Sequence, residues 1–151
     1  MDTKTNNAVG SPVIVEQTLQ APVSKVWKSL INAEEMKQWY FDIKEFKPQV
    51  GFDFIIDVEH QGTRFIHLCR ITQVIPEKKL SHTWKYQGHE GNSLVTFELS
   101  DENGHTKIRL THEGTETFPK TAAFAKENFK AGWTSIIKEG LKNYVEMPRA
   151  N

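Results

Sequence analysis

Three of the six histidines and the single cysteine are the side chains here whose type and spacing could do chemistry. His67 and Cys69 stand two apart in the run from Phe65 to Ile71, His82 lies between Leu80 and Tyr86, and His112 closes the run that starts at Thr106. Each run alternates in strand fashion, so residues two apart share a face. Phe65, His67, Cys69 and Ile71 fall on one face, Leu80, His82, Trp84 and Tyr86 on a second, and Thr106, Ile108, Leu110 and His112 on a third. If these faces meet, three imidazoles enter one apolar chamber, and three imidazoles are a zinc-ligand set. The carboxylates that would support such a site, Asp53, Asp57 and Glu59, have the opposite parity. Each histidine is therefore expected to be a wall residue bonded to a neighbour or to water, with no metal. A nucleophilic Cys69 would need a nearby base and a lowered pKa. His67 shares its face, but a lone thiol among apolar neighbours is expected to pack inertly.

Other chemistry finds little support. General acid–base work wants paired carboxylates in a cleft, and the acids here alternate onto solvent faces. The sequence has no glycine-rich phosphate loop, no His-Glu-x-x-His, no Gly-x-Ser-x-Gly and no basic stripe. What stands out is nine Phe, four Trp and three Tyr. Trp27, Trp84, Phe97 and Trp133 suit a core. Trp39-Tyr40-Phe41 cannot all face inward from a helix end, because neighbours on a helix point about 100° apart. At least one of the three is expected at a surface or a cavity mouth.

The elements that must position these residues are legible. Residues 1–12 read as a disordered tail. Ile14 to Gln20 is β-prone and ends at Ala21-Pro22, and Pro22 suits a first helical turn. Val23, Val26, Trp27, Leu30 and Ile31 then keep helical spacing. Asn32 with Glu35 resembles a capping box opening a short second helix, with Met36, Trp39 and Tyr40 as its apolar stripe. About six consecutive strands follow. Phe52, Phe54, Ile56 and Val58 share a face, His60-Gln61-Gly62 turns the chain, Arg64 to Ile75 is a long strand stopped by Pro76, and Val95, Phe97 and Leu99 alternate. Asn103-Gly104 is the strongest hairpin signal. Phe129, Trp133, Ile136, Ile137, Leu141 and Tyr144 make one long final helix, terminated by Pro148. Consecutive hairpins imply an antiparallel sheet whose apolar face that helix covers. Gly132 and Gly140 each cost this helix about 0.8–1 kcal/mol against alanine, which suggests a steric role, more for Gly132 beside Trp133 than for Gly140.

The bulk properties bound the rest. At 151 residues the chain is one domain, expected over residues 13–147. Nineteen basic and nineteen acidic residues cancel, so nothing invites nucleic acid or an anionic membrane. One cysteine excludes a disulfide framework. A polar N-terminus without an apolar signal core, and no apolar run long enough to span a bilayer, point to the cytoplasm.

A family resemblance rests on short motifs in a fixed order. These are Trp27 to Leu30 followed by Trp39, Gly51 with Phe52-Asp53-Phe54, Val74 to Leu80 with Thr83-Trp84, Val95 to Leu99, Leu110-Thr111-His112-Glu113-Gly114, and Gly132-Trp133. Over roughly residues 13–147 the chain resembles the domain of activators of heat-shock-ninety ATPase homologues, in the START-like, birch-allergen-like (SRPBCC) superfamily. The resemblance implies an α+β helix-grip fold: a curved antiparallel sheet of six to seven strands wrapped around a long C-terminal helix, with two short helices after the first strand and a cavity between sheet and helix. Members commonly bind apolar small molecules, some are enzymes, and some serve the chaperone. They often carry glycine where Cys69 stands and an aromatic where His67 stands, so the cavity wall here is larger and more polar.

The function expected is binding of an apolar or amphipathic ligand, without a cofactor and with no catalytic residue assigned. Its lining is expected to be Trp39, Phe41, Phe54, Ile56, Phe65, His67, Cys69, His82, Trp84, Tyr86, Phe97, His112, Phe129, Gly132, Trp133 and Ile136, with His67, His82, His112 and Tyr86 orienting any polar end. Two alternatives stand beside it. A co-chaperone-like module docking on a heat-shock-ninety-type ATPase predicts a filled core and an exposed patch from Trp39 to Phe41. A cyclase- or hydrolase-like enzyme would use the pocket histidines, though no distinct motif marks it. A homodimer through an exposed sheet edge or an aromatic rim would be unsurprising.

Overall fold

The N-terminal strand enters the fold at Val13, where the apolar alternation begins. The computed structural model describes residues 11–147, so most of the expected tail and the helix stop at Pro148 lie outside the described residues. β1 (Val13–Leu19) leads into α1 (Val23–Ile31) and α2 (Ala33–Trp39), then β2 (Asp53–His60), β3 (Thr63–Ile75), β4 (Lys79–Tyr86), β5 (Ser93–Glu102) and β6 (His105–Glu113). The strands after the helices number five rather than about six. Together with β1 they form one antiparallel sheet in the order β1-β6-β5-β4-β3-β2. β1 and β2 are its edges. A register shift between Ile71 and Gln73 bends the long β3. The expected Asn103-Gly104 turn has both residues at positive φ, +59° and +90°. Two-residue hairpins need this geometry, and Asn and Gly tolerate it best.

Pro22 sits at the N-cap of α1 rather than inside it, its carbonyl accepting the amides of Lys25 and Val26. Asn32 caps α2 as its sequence suggests, Oδ1 accepting the Glu35 amide at 3.0 Å. Glu35 does not complete a capping box: its carboxylate accepts the Tyr144 hydroxyl and lies 3.7 Å from the Lys28 ammonium, tying the first helical pair to the chain's end.

After β6 come two single turns of 3-10 helix, Thr115–Thr117 and Ala122–Phe124. The C-terminal helix follows as α3 (Lys126–Ser135), a π-helical stretch (Ile136–Leu141) and α4 (Lys142–Glu146), without a break in helical backbone. Phe129, Trp133, Ile137, Leu141 and Val145 bury its stripe against the sheet with Leu19, Val95, Ile108 and Leu110. Lys138 pins it to β1, donating to the Glu16 carbonyl at 2.8 Å and to Gln17 Oε1 at 3.2 Å. Glu146 holds the far end by accepting the Gln20 amide at 2.7 Å. No helix among the described residues is long and apolar enough to cross a membrane.

The two helical glycines exchange the weights given them from sequence. A Cβ on Gly132 would meet nothing within 4 Å, whereas one on Gly140 would lie 3.0 Å from the Trp39 carbonyl oxygen. Gly140 is therefore the close approach, admitting the end of α2, and Gly132 borders open space. Alanine at 132 is expected to stabilise by up to about 1 kcal/mol through helix propensity and chain entropy. Alanine at 140 should lose about 1 kcal/mol net, because a backbone carbonyl cannot swing aside. Urea unfolding of the two variants checks this, and shifts of the same sign would contradict it.

Candidate functional site

Between the β2–β4 half of the sheet and α3 lies an open cleft of about 740 Å³. Strand pairing builds its floor: His67 on β3 faces Tyr86 on β4. Phe65 and Trp84 flank them on the same concave side. Phe129, Gly132, Trp133 and Ile136 of the C-terminal helix form the opposite wall, the 3-10 turn at Ala122–Phe124 closes one end, and Phe41 stands at another side. The lining contains no Asp, Glu, Lys or Arg.

Two polar groups on the floor have unused capacity. His67 Nδ1 lies 2.8 Å from the Ile56 carbonyl. A carbonyl only accepts, so Nδ1 carries the proton of the neutral ring and Nε2 is left as an acceptor. Burial holds the His67 pKa below its ordinary value, partly opposed by the Ile56 hydrogen bond and the Asp57 charge. Tyr86 Oη accepts the Trp84 indole N–H at 2.9 Å, which leaves its own O–H to donate. Burial pushes the phenol up to about 12, so it stays protonated. The rings of His67 and Tyr86 are 4.7 Å apart.

Deeper in, His112 links helix to sheet. The Trp133 indole N–H donates to His112 Nδ1 at 3.0 Å. Nε2 therefore carries the proton and donates to Ser93 Oγ at 2.8 Å, and the Ser93 hydroxyl donates to the Trp84 carbonyl at 2.7 Å. This chain ties the Trp133 indole to the Trp84 backbone, and the two rings pack 5.3 Å apart where helix meets sheet beside the cleft. Burial drives the His112 pKa down to about 3, with smaller repulsions from His82 and His67. His82 bonds through Nδ1 to the Thr83 carbonyl at 2.8 Å and is pushed down to about 4, again by burial. Burial also raises the Cys69 thiol far above its ordinary pKa, so it is a packed thiol without thiolate character.

The sixteen expected lining residues thus separate into groups. Phe41, Phe65, His67, Trp84, Tyr86, Phe129, Gly132, Trp133 and Ile136 border the cleft. Trp39, Phe54, His82 and Phe97 lie at the opposite end, where about 10 Å³ of space remains, too little for more than one water. Ile56, Cys69 and His112 are core residues that border neither space. The three imidazoles do share the concave side, but only His67 reaches the cleft. Among the described residues no cluster of His, Cys, Asp and Glu could hold a metal ion. The open space between sheet and helix lies in one half, because Trp39, Phe46, Phe54 and Phe97 fill the other.

Trp39 to Phe41 makes no exposed patch. The Trp39 indole is buried and donates to the Ser29 carbonyl at 3.0 Å, while Tyr40 and Phe41 are half-buried. The Tyr40 hydroxyl is buried with no hydrogen-bond partner among the described residues, and burial raises its pKa well above the ordinary value. Phe41 is the ring at the cavity mouth.

The sequence reading assigns no element between Gly114 and Ala125, and so misses Phe118 and Phe124. Phe124 packs on Tyr86 at 4.8 Å, Phe118 on Tyr86 at 5.2 Å. Their signal was two isolated rings in a stretch otherwise rich in Thr, Lys, Glu and Ala, where an apolar ring has reason to turn inward.

Residues 20–146 match the family model described as activator of Hsp90 ATPase homolog 1-like protein. No curated protein matches the sequence. Among solved structures, protein CV1439 from Chromobacterium violaceum superposes with a TM-score of 0.79 at 19% identity, over 91% of this chain and 98% of that one. MLL2253 from Mesorhizobium loti gives 0.74 at 25%, over 92% and 99%. BH1534 from Bacillus halodurans gives 0.70 at 25%, over 89% and 96%. These similarities show a shared helix-grip fold.

Proposed function

The chain belongs to the activator of Hsp90 ATPase homolog 1-like family, and we propose that it acts by holding a small apolar or amphipathic molecule in the cleft between the sheet and α3. The observation that carries this reading is an open cleft lined mainly by aromatic and aliphatic side chains, with His60, Gln61, Thr63, His67 and Asn128 as its polar members and no Asp, Glu, Lys or Arg. Displacing water from that lining is the driving force. Covering about 200 Å² of ligand apolar surface would contribute roughly 5 kcal/mol before the entropy of association is subtracted. A lipid tail and a polycyclic ring both meet this requirement. Two observations weigh against the other readings. Docking on a chaperone ATPase through Trp39 to Phe41 has no exposed patch to use. Catalysis by three pocket histidines has only His67 at the cleft.

Nile red, a neutral dye that brightens in apolar surroundings, tests the proposal. The wild-type protein should bind it saturably, with quenching of Trp84 and Trp133. Gly132→Leu projects a side chain into the open space and should weaken binding about tenfold or more without lowering stability. Absence of saturable binding, or equal binding by both proteins, would remove the ligand reading and leave surface docking.

A further inference from the structure

Resting on that reading, we infer that the cleft is selective for uncharged, flat aromatic alcohols, whose hydroxyl sits between His67 and Tyr86, donating to Nε2 and accepting from the Tyr86 O–H. The two groups are cross-strand neighbours on the cleft floor. They are complementary in kind. His67 Nδ1 is committed to the Ile56 carbonyl, which leaves Nε2 as a pure acceptor, and Tyr86 Oη already accepts from Trp84, which leaves its proton unused. Neither remaining valence has a protein partner among the described residues. One hydroxyl is the smallest group that satisfies both, because it is donor and acceptor at a single oxygen.

The surroundings set the rest of the ligand. Phe65, Trp84, Phe124 and Trp133 present ring faces and edges, with Phe65 and Phe124 meeting edge to face at 6.1 Å. Such walls favour a planar π system over a flexible chain, because ring quadrupoles reward edge-to-face and offset contacts. A charged end meets no Asp, Glu, Lys or Arg in the lining. The Asp57 carboxylate, outside the lining, is held by Arg64 through two hydrogen bonds of 2.9 and 2.6 Å. The amides of Asn128 and Phe129, which border the cleft, turn back onto the Ala125 carbonyl. An ion entering this site loses its hydration without a counter-charge.

Three probes of one shape separate the possibilities: 2-naphthol, 2-methoxynaphthalene and 2-naphthoate, each titrated into the full chain at neutral pH beside Nile red. 2-Naphthol should bind about tenfold tighter than its methyl ether, the worth of one well-made hydrogen bond, and 2-naphthoate should bind weakest. Tyr86→Phe and His67→Leu should each narrow the ratio of 2-naphthol to 2-methoxynaphthalene affinity towards one, a ratio that a general loosening of the cleft would leave unchanged. The wild-type comparison needs no variant to fold. Equal affinity for alcohol and ether, with Nile red still bound, overturns the alcohol assignment and leaves the apolar cleft standing. A preference for 2-naphthoate overturns the neutral selectivity. Loss of all binding, Nile red included, removes the ligand reading and this inference with it.

Discussion

Lowering the pH from 7 to 5 is expected to remove on the order of 4 kcal/mol from the folding free energy, most of it through two histidines. In the folded chain His82 takes up its proton only at about 4 and His112 only at about 3, because both are buried among apolar side chains. In the unfolded chain each titrates near 6.5. Between those values the unfolded state holds more protons, so stability falls as the pH falls. Above 6.5 neither state is protonated and the folded state keeps its full margin. Each histidine contributes a slope of about 1.4 kcal/mol per pH unit in the window. His67, also held below its ordinary value by burial, adds in the same direction. The surface carboxylates do not mimic this. Glu16, Asp53 and Asp57 are held low by Arg109, Arg70 and Arg64, so what they contribute is lost only below the ordinary carboxylate range. Against a total stability of about 5–15 kcal/mol for a domain, acid unfolding should begin between about pH 5 and 4. Urea unfolding followed by tryptophan emission at pH 7, 6 and 5 measures the slope, and His82→Leu should reduce it by one proton. A stability that holds within 1 kcal/mol down to pH 5 would mean that these rings are solvated and that the interior is not the dry one described here.

That pH response shows how far the sequence could be read. Alternation placed His67, His82 and His112 on inward faces, and all three are inward and buried. Parity is a local property, fixed by the backbone two residues at a time. Depth is not. Whether an inward histidine borders a void or a packed ring depends on what crosses over it, and α2 with Phe46 fills the space above His82 and Phe97 while His67 and Tyr86 border the open cleft. The same limit explains the glycines. Eight residues apart on one helix, Gly132 and Gly140 look alike, yet only Gly140 meets the carbonyl of Trp39, a residue about a hundred positions earlier. The helices, the hairpins and the antiparallel pairing of consecutive strands come from short-range patterns and were legible, whereas the pairing of β1 with β6 joins segments about ninety residues apart. The end wall of the cleft comes from a segment with no period at all, residues 114 to 125, whose structure is dictated by a long-range clasp.

Gly91 is the pivot of that clasp, and its replacement is expected to be the most damaging single methyl added to any glycine of the chain. Its φ is +103°, and a Cβ there would stand 2.5 Å from Phe118 Cδ1, 2.6 Å from the Thr117 carbonyl oxygen and 2.8 Å from the Thr117 carbonyl carbon. The Thr117 hydroxyl cannot yield easily, because it joins the Asn92 amide and carbonyl, each at 2.9 Å, and lies 2.7 Å from the Gly114 carbonyl. Gly91→Ala therefore combines a left-handed backbone with a backbone clash, for a loss of about 2–4 kcal/mol. Gly88→Ala separates the two contributions. Gly88 has a similar φ of +83° but open space around it, so alanine there should lose only the conformational part, about 1 kcal/mol. The difference between the two variants in urea unfolding measures the clasp alone. The effect should also reach the cleft. Phe118, the ring that must move, packs on Tyr86 at 5.2 Å and on Phe124 at 5.8 Å. Displacing it shifts both a floor residue and the end wall, so Nile red affinity should fall in Gly91→Ala and hold in Gly88→Ala. Equal losses in the two variants, in stability and in affinity, would show that this segment packs on the site too loosely to shape it.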